Sequence, residues 1–344
     1  MRRSLWAAVV LGLAAATAPA GSPAPAAPAG ATVDLVGCIP EETLFALRAR
    51  PGPLMASDLW KAAAASKVID REKAVRESPL AIDAEKDVAD GVFALAMQFK
   101  DGRPRESSWG ALLAMTRDVE AAALFKKRAK TATAPGFDRQ AYVHGPGTFL
   151  AVLAPRLVLI GTPDYLARMA AAAEGGKAGP AQTFWRQALD RPGELLAAAR
   201  APEGLRQVLQ KARDDLLANS GRSRMSQLEI GRLVGTDFLI RLGLEFRSAV
   251  AVLDLSRPAE PLRASIEFAS EDGAAFIGSG LNLLEPSIDL ALEYAPGRPA
   301  LGSVREAALY RATYAGKETS IAVTRAALDR FFSAANPDRT RKQP

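Results

Sequence analysis

The chain has 344 residues, 49% of them hydrophobic and 24% charged, with 44 lysines and arginines against 38 acids and a net charge of +6. This is the balance of a globular chain and excludes a disordered or fibrous one. Charges of both signs are interspersed, without the basic stripe and interleaved aromatics of a nucleic-acid binder.

The N-terminus carries the first signal. Met1-Arg2-Arg3 is a short positive region, an apolar run extends from Leu5 to about Thr17, and Ala18-Pro19-Ala20 precedes Gly21. Arginines that stay on the cytoplasmic side, an apolar run for the translocon and small residues for the peptidase make residues 1–20 a secretory signal peptide. The run is too short to span a bilayer, which takes about 20 apolar residues. Residues 21–31 are a Pro/Ala-rich linker. An exported protein, periplasmic or extracellular, is therefore expected. Leu35-Val36-Gly37-Cys38 has the spelling of a lipobox, although the linker and Asp34 separate it from the apolar run. Two readings of Cys38 stay open: lipidation, with anchoring to the envelope, or a small buried hydrophobe near the first strand.

The folded region begins near Thr32, and Ile39 to Thr43 reads as a turn into a strand over 43–50, ended by Pro51-Gly52-Pro53. A helix capped by Ser57 or Asp58 runs toward Asp70, and a charged stretch follows over 70–90. Strands are expected over 91–100 and 109–116, then a helix from Asp118 to about Lys130. Further strands follow over 140–144, 148–153 and 157–161, with Gly145-Pro146-Gly147 and Ala154-Pro155-Arg156 as turns. Thr162-Pro163-Asp164 opens a helix to about Glu174, with proline in its first turn, and 175–180 is a Gly-rich linker.

The second half begins with a helix over 182–189, a strand over 194–199 and helices over 202–218 and 225–242. Strands over 246–255 and 262–269 lead to a helix over 273–293 with a break at Pro286. A hairpin over 307–314 and 318–324 turns at Ala315-Gly316-Lys317 before a last helix over 325–335 and a tail, 336–344. Each half thus runs through two long strands, a segment with an acidic start, a tyrosine-bearing strand, a glycine turn, and a strand ending in threonine before a helix. An internal duplication follows: two similar α+β modules, 32–175 and 181–335, each an antiparallel sheet with helices on one face.

The opening Ile39-Pro40-Glu41-Glu42-Thr43-Leu44 resembles a group of exported bacterial proteins of unknown function whose domain begins Pro-x-(Asp/Glu)-Thr-Leu ahead of a strand. The passage from Phe149 through Gly161-Thr162-Pro163 is similar to theirs as well. That resemblance implies location and architecture and carries no activity.

The catalytic inventory is thin. His144 is the only histidine and reads as an exposed turn residue, with no Gly-x-Ser-x-Gly elbow elsewhere. One histidine and one distant cysteine cannot supply the usual zinc ligands. Gly278-Ser279-Gly280 and Gly175-Gly176-Lys177 lack the rest of a dinucleotide fingerprint or a P-loop, so they read as packing or linker glycines. Glu41-Glu42 and Asp214-Asp215 are adjacent pairs, which do not face one another on one element. Ile230, Leu233, Val234, Phe238, Leu242 and Phe246 recur at helical spacing with Arg232 and Arg241 between them. They read as a helix packed on the core or as a surface for a lipid or partner. The expectation is a non-enzymatic envelope protein without cofactor or metal, which binds a protein or an apolar ligand between sheet and helices. A carboxylate-dependent hydrolase and a lipoprotein carrier or assembly factor are the alternatives.

Overall fold

The computed structural model describes residues 34–65, 78–100, 103–127, 130–173, 180–201, 203–220, 236–237, 240–293 and 309–334. The leader, the Pro/Ala linker, the 175–179 linker, the tail and most of the 225–242 helix lie outside the described residues.

Twelve strands form one sheet in which every paired neighbour is antiparallel. In chain order they are β1 (Thr43–Ala49), β2 (Val88–Lys100), β3 (Arg103–Met115), β4 (Thr131–Ala132), β5 (Ala141–Gly145) and β6 (Thr148–Ala154). The rest are β7 (Leu157–Gly161), β8 (Leu195–Arg200), β9 (Phe246–Leu253), β10 (Leu262–Phe268), β11 (Tyr310–Ala315) and β12 (Glu318–Val323). The described helices are α1 (Pro51–Ala56), α2 (Asp58–Ala65), α3 (Ala84–Asp87), α4 (Pro163–Ala173), α5 (Pro180–Leu189), α6 (Glu203–Ser220), α7 (Glu271–Glu293) and α8 (Arg325–Ala334), with a further helical segment at 240–245. The α+β class with an antiparallel sheet is as the sequence predicts.

The spatial order is β11-β12-β10-β9-β8-β1-β2-β3-β7-β6-β5-β4. Reading outward from the central β8–β1 pair, each half places its first, second, third, last and next-to-last strand in turn. The two halves share a single sheet because β1 and β8 pair from Phe45↔Ala199 to Ala49↔Leu195. Arg48 reinforces that seam. Its guanidinium lies 2.7 Å from Asp90 on β2, 2.7 Å from Asp190 after α5, and donates to the Leu189 carbonyl.

Helices cover both faces, which revises the expectation of one. Period-two alternation separates Leu112 and Leu159 from their neighbours Leu113 and Val158 on adjacent strands. The first pair packs under α4 and α5 with Tyr165, Leu166, Met169, Trp185 and Leu189. The second packs with Leu54, Met55, Trp60, Leu80 and Ile82 from α1, α2 and the 78–82 segment. Each fully buried Leu or Met here contributes roughly 1.5–3 kcal/mol. In the second half α7 lies on that latter face. The register carries Thr319, which donates to the Ala274 carbonyl of α7, through Ile266, Ala249 and Ala199 to Phe45, the face of Leu47 and Phe93.

Three local readings change. Pro51-Gly52-Pro53 does end β1, but it also starts α1, because proline is tolerated in a helix's first turn. Ser57 caps the next helix, its Oγ accepting from Trp60 N–H, as expected. The helix predicted over 118–130 is a short 3-10 turn at Ala121–Leu124. Tertiary backbone bonds take this segment: Val119 N–H donates to the Pro155 carbonyl, Ala81 N–H to Leu124, and Lys126 N–H to Pro79. Finally, α7 continues through Pro286.

Candidate functional site

A groove of about 760 Å³ lies between the 240–245 segment, α6 and the start of α7. Its construction begins with two close approaches. A Cβ on Gly243 would lie 2.6 Å from Leu209 Cδ1, so glycine lets the 240–245 segment lie against α6. Ala269 N–H donates to the Glu245 carbonyl, which brings the end of β10 beside the same segment. Ser270 then caps α7: its Oγ donates to Glu245 at 2.8 Å and accepts from Gly273 N–H at 3.0 Å.

The lining is apolar within and ionic at the rim. Leu242, Leu244, Phe276 and Ile277 supply the apolar surface. Phe276 is 59% exposed. At the rim Asp237 bridges Arg213 on α6 at 3.3 Å and Arg241 at 2.7 Å. The arrangement can hold a molecule with an apolar body beside a fixed set of charges.

A second concavity, of about 520 Å³, lies on the opposite face of the second half, over β9, β10, β11 and β12. Its walls are Arg263, Ser265, Arg311, Thr313 and Ser320. Arg311 already meets Glu260 at 3.5 Å and Arg263 meets Asp254 at 3.7 Å. Hydrogen bonds from Ser256 and the nearby Arg257 hold the Asp254 carboxyl below its ordinary range. This is the hydrated face that an antiparallel sheet can present to water.

The residues singled out in the sequence are scattered. Cys38 is 3% exposed within the core under α4 and α5, its Sγ donating to the Asp34 carbonyl at 3.3 Å. Burial first, and Asp34 second, push its thiol up to about 11. Leu35 and Val36 lie in the same core, and Asp34 pairs with Arg186. His144 on β5 is half-buried rather than exposed, because β5 continues to Gly145, and burial lowers its pKa. Glu42 pairs with Arg168, while Asp214 accepts from Gln210 on the outside of α6, so these carboxylates do not converge. Gly278 is a packing glycine: a Cβ there would lie 2.8 Å from Tyr314 Cδ1. Gly175, Gly176 and Lys177 lie outside the described residues, as do Ile230, Arg232, Leu233, Val234 and Phe238. Of that apolar series Leu242 lines the groove and Phe246 pairs with Phe268 across β9 and β10. Phe276, Ile277 and Asp237 were not marked in the sequence. They come from separate segments, and only the tertiary fold joins them.

No three metal-ligating side chains converge among the described residues. No described helix is long and apolar enough to cross a membrane.

The chain matches no protein-family model and no curated protein. Solved structures similar to it include two crystal forms of one protein. The crystal form I structure of TP0453 has a TM-score of 0.42 at 12% identity, covering 89% of this chain and 98% of that one. The form III structure has a TM-score of 0.41 at 10% identity, covering 89% and 99%.

Proposed function

We propose that this is an exported, non-enzymatic binding protein of the cell envelope that holds the apolar part of a small amphipathic ligand in the groove beside α7. The leader and the Pro/Ala linker behind it support export. The resemblance at Pro40 to Leu44 supports the same compartment. The observation that carries the binding reading is Phe276, 59% exposed on the wall of a concavity that Leu242, Leu244 and Ile277 also line. Ligand sites are concave and largely apolar, with a few fixed polar groups that set orientation. The Arg213–Asp237–Arg241 bridge is such a group.

A titration of the chain lacking its leader with a fluorescent long-chain fatty acid tests this. Saturable binding is expected, weakened roughly tenfold or more by Phe276→Asp, the factor that burying one phenylalanine is worth. Absence of saturable binding, or an affinity left unchanged by both Phe276→Asp and Leu244→Asp, would overturn it.

A further inference from the structure

Among the described residues no further strand pairs with either end of the twelve-stranded sheet, and the two ends are closed in different ways. The β4 end is only two residues long, Thr131 and Ala132. Brevity alone blunts such an edge. The β11 end is six residues long, Tyr310–Ala315, long enough to template another strand.

In an antiparallel hairpin alternate residues turn their N–H and C=O away from the partner strand. On β11 Ala312 is one of these, and both of its outward groups are taken by a single side chain. Asn282 of α7 donates from Nδ2 to the Ala312 carbonyl at 3.0 Å and accepts the Ala312 N–H at Oδ1 at 3.2 Å. A side-chain amide has the donor and acceptor geometry of a peptide group, so Asn282 makes the two bonds that a thirteenth strand would make. The helix is held at this edge from both sides of Asn282. Tyr310 O–H donates to the Leu281 carbonyl, and Leu309 N–H donates to the buried carboxyl of Glu285 at 2.8 Å.

We infer that Asn282 keeps shut a strand-pairing edge whose fitting partner is β11 of a second copy of this chain. The self-fit follows from the sequence of the strand. Antiparallel pairing about Ala312 sets Ala312 opposite Ala312 and Tyr310 opposite Tyr314 of the partner copy. It places Arg311 opposite Thr313, so no like charges face each other. Cross-strand tyrosines are favourable neighbours, and the edge has neither proline nor lysine of its own to discourage pairing. The protection therefore comes from α7.

Two readouts on the leaderless chain test the inference. In Asn282→Ala kept dilute enough to remain monomeric, hydrogen exchange at the Ala312 amide should accelerate at least about fivefold, the factor of one ordinary hydrogen bond. Light scattering after size exclusion should show the same variant forming dimers that the unaltered chain does not form. Adding Tyr314→Lys, a charge on the edge, should return it to monomer. Asn282→Asp keeps an acceptor for the Ala312 N–H and loses the donor, so it should fall between the two and serves if the alanine variant does not fold. Unchanged exchange at Ala312 in a folded, monomeric Asn282 variant overturns the inference. So does an Asn282→Ala chain that stays monomeric, or a dimer indifferent to Tyr314→Lys.

Discussion

Cys38 carries two readings in the sequence. The tetrapeptide Leu35-Val36-Gly37-Cys38 has a lipobox spelling and an apolar pattern, and the linker and Asp34 that part it from the leader's apolar run weigh against the lipobox. The structure places Leu35, Val36 and Cys38 together in the core. The thiol's ordinary value is 9.0 and burial pushes it to about 11. Between those values the unfolded chain ionises while the folded chain keeps its proton, so stability falls as pH climbs through that window. Cys38→Ala should lessen this loss. Thermal unfolding of both proteins at pH 8 and pH 10.5 measures it, and an equal drop in the two would count against the buried thiol. The groove residues were less legible than Cys38. Leu242 stood out through helical spacing, but Phe276 lies in a glycine-rich helix whose apolar residues give no sign of which face meets water.

At the scale of elements, short-range signals did most of the work. Ser57 as a cap, Pro163 in a first turn and Gly147 at a positive φ of 66° are local chemistry, and the helices and hairpin they bound appear where expected. The 118–130 segment failed because its backbone donors and acceptors find partners at Pro155, Ala81 and Pro79. Such long-range competition is invisible to periodicity. The docking of α4 is a further case. Gly110 on β3 pairs with Gly161 on β7, and a Cβ on Gly110 would lie 2.7 Å from Met169 Sδ and 2.8 Å from Tyr165 Cδ1. The missing side chain lets α4 lie close enough for Tyr165 to meet the Thr43 hydroxyl at 2.6 Å on β1. Gly110→Ala should therefore cost about 1–3 kcal/mol by overpacking. Urea unfolding reads this directly, and a change below a few tenths of a kcal/mol would show that α4 shifts without penalty.

Across the whole molecule, the two halves meet as one sheet through a strand pair that no local pattern announces. Outward from β1 and from β8 the first five strands follow the same order. The halves then diverge in their covering: α4 and α5 bury one face of the first, while the same face of the second is polar and lined by Arg263, Ser265 and Thr313. The groove beside α7 belongs to the opposite side, where apolar surface is left in water. Hydrogen exchange followed by mass spectrometry, with and without a saturating long-chain fatty acid, tests that assignment most directly. Slowed exchange concentrated in 240–245 and 269–277 is the predicted result. Protection centred on β9, β10 and β12 at the polar face, or none anywhere, would contradict it.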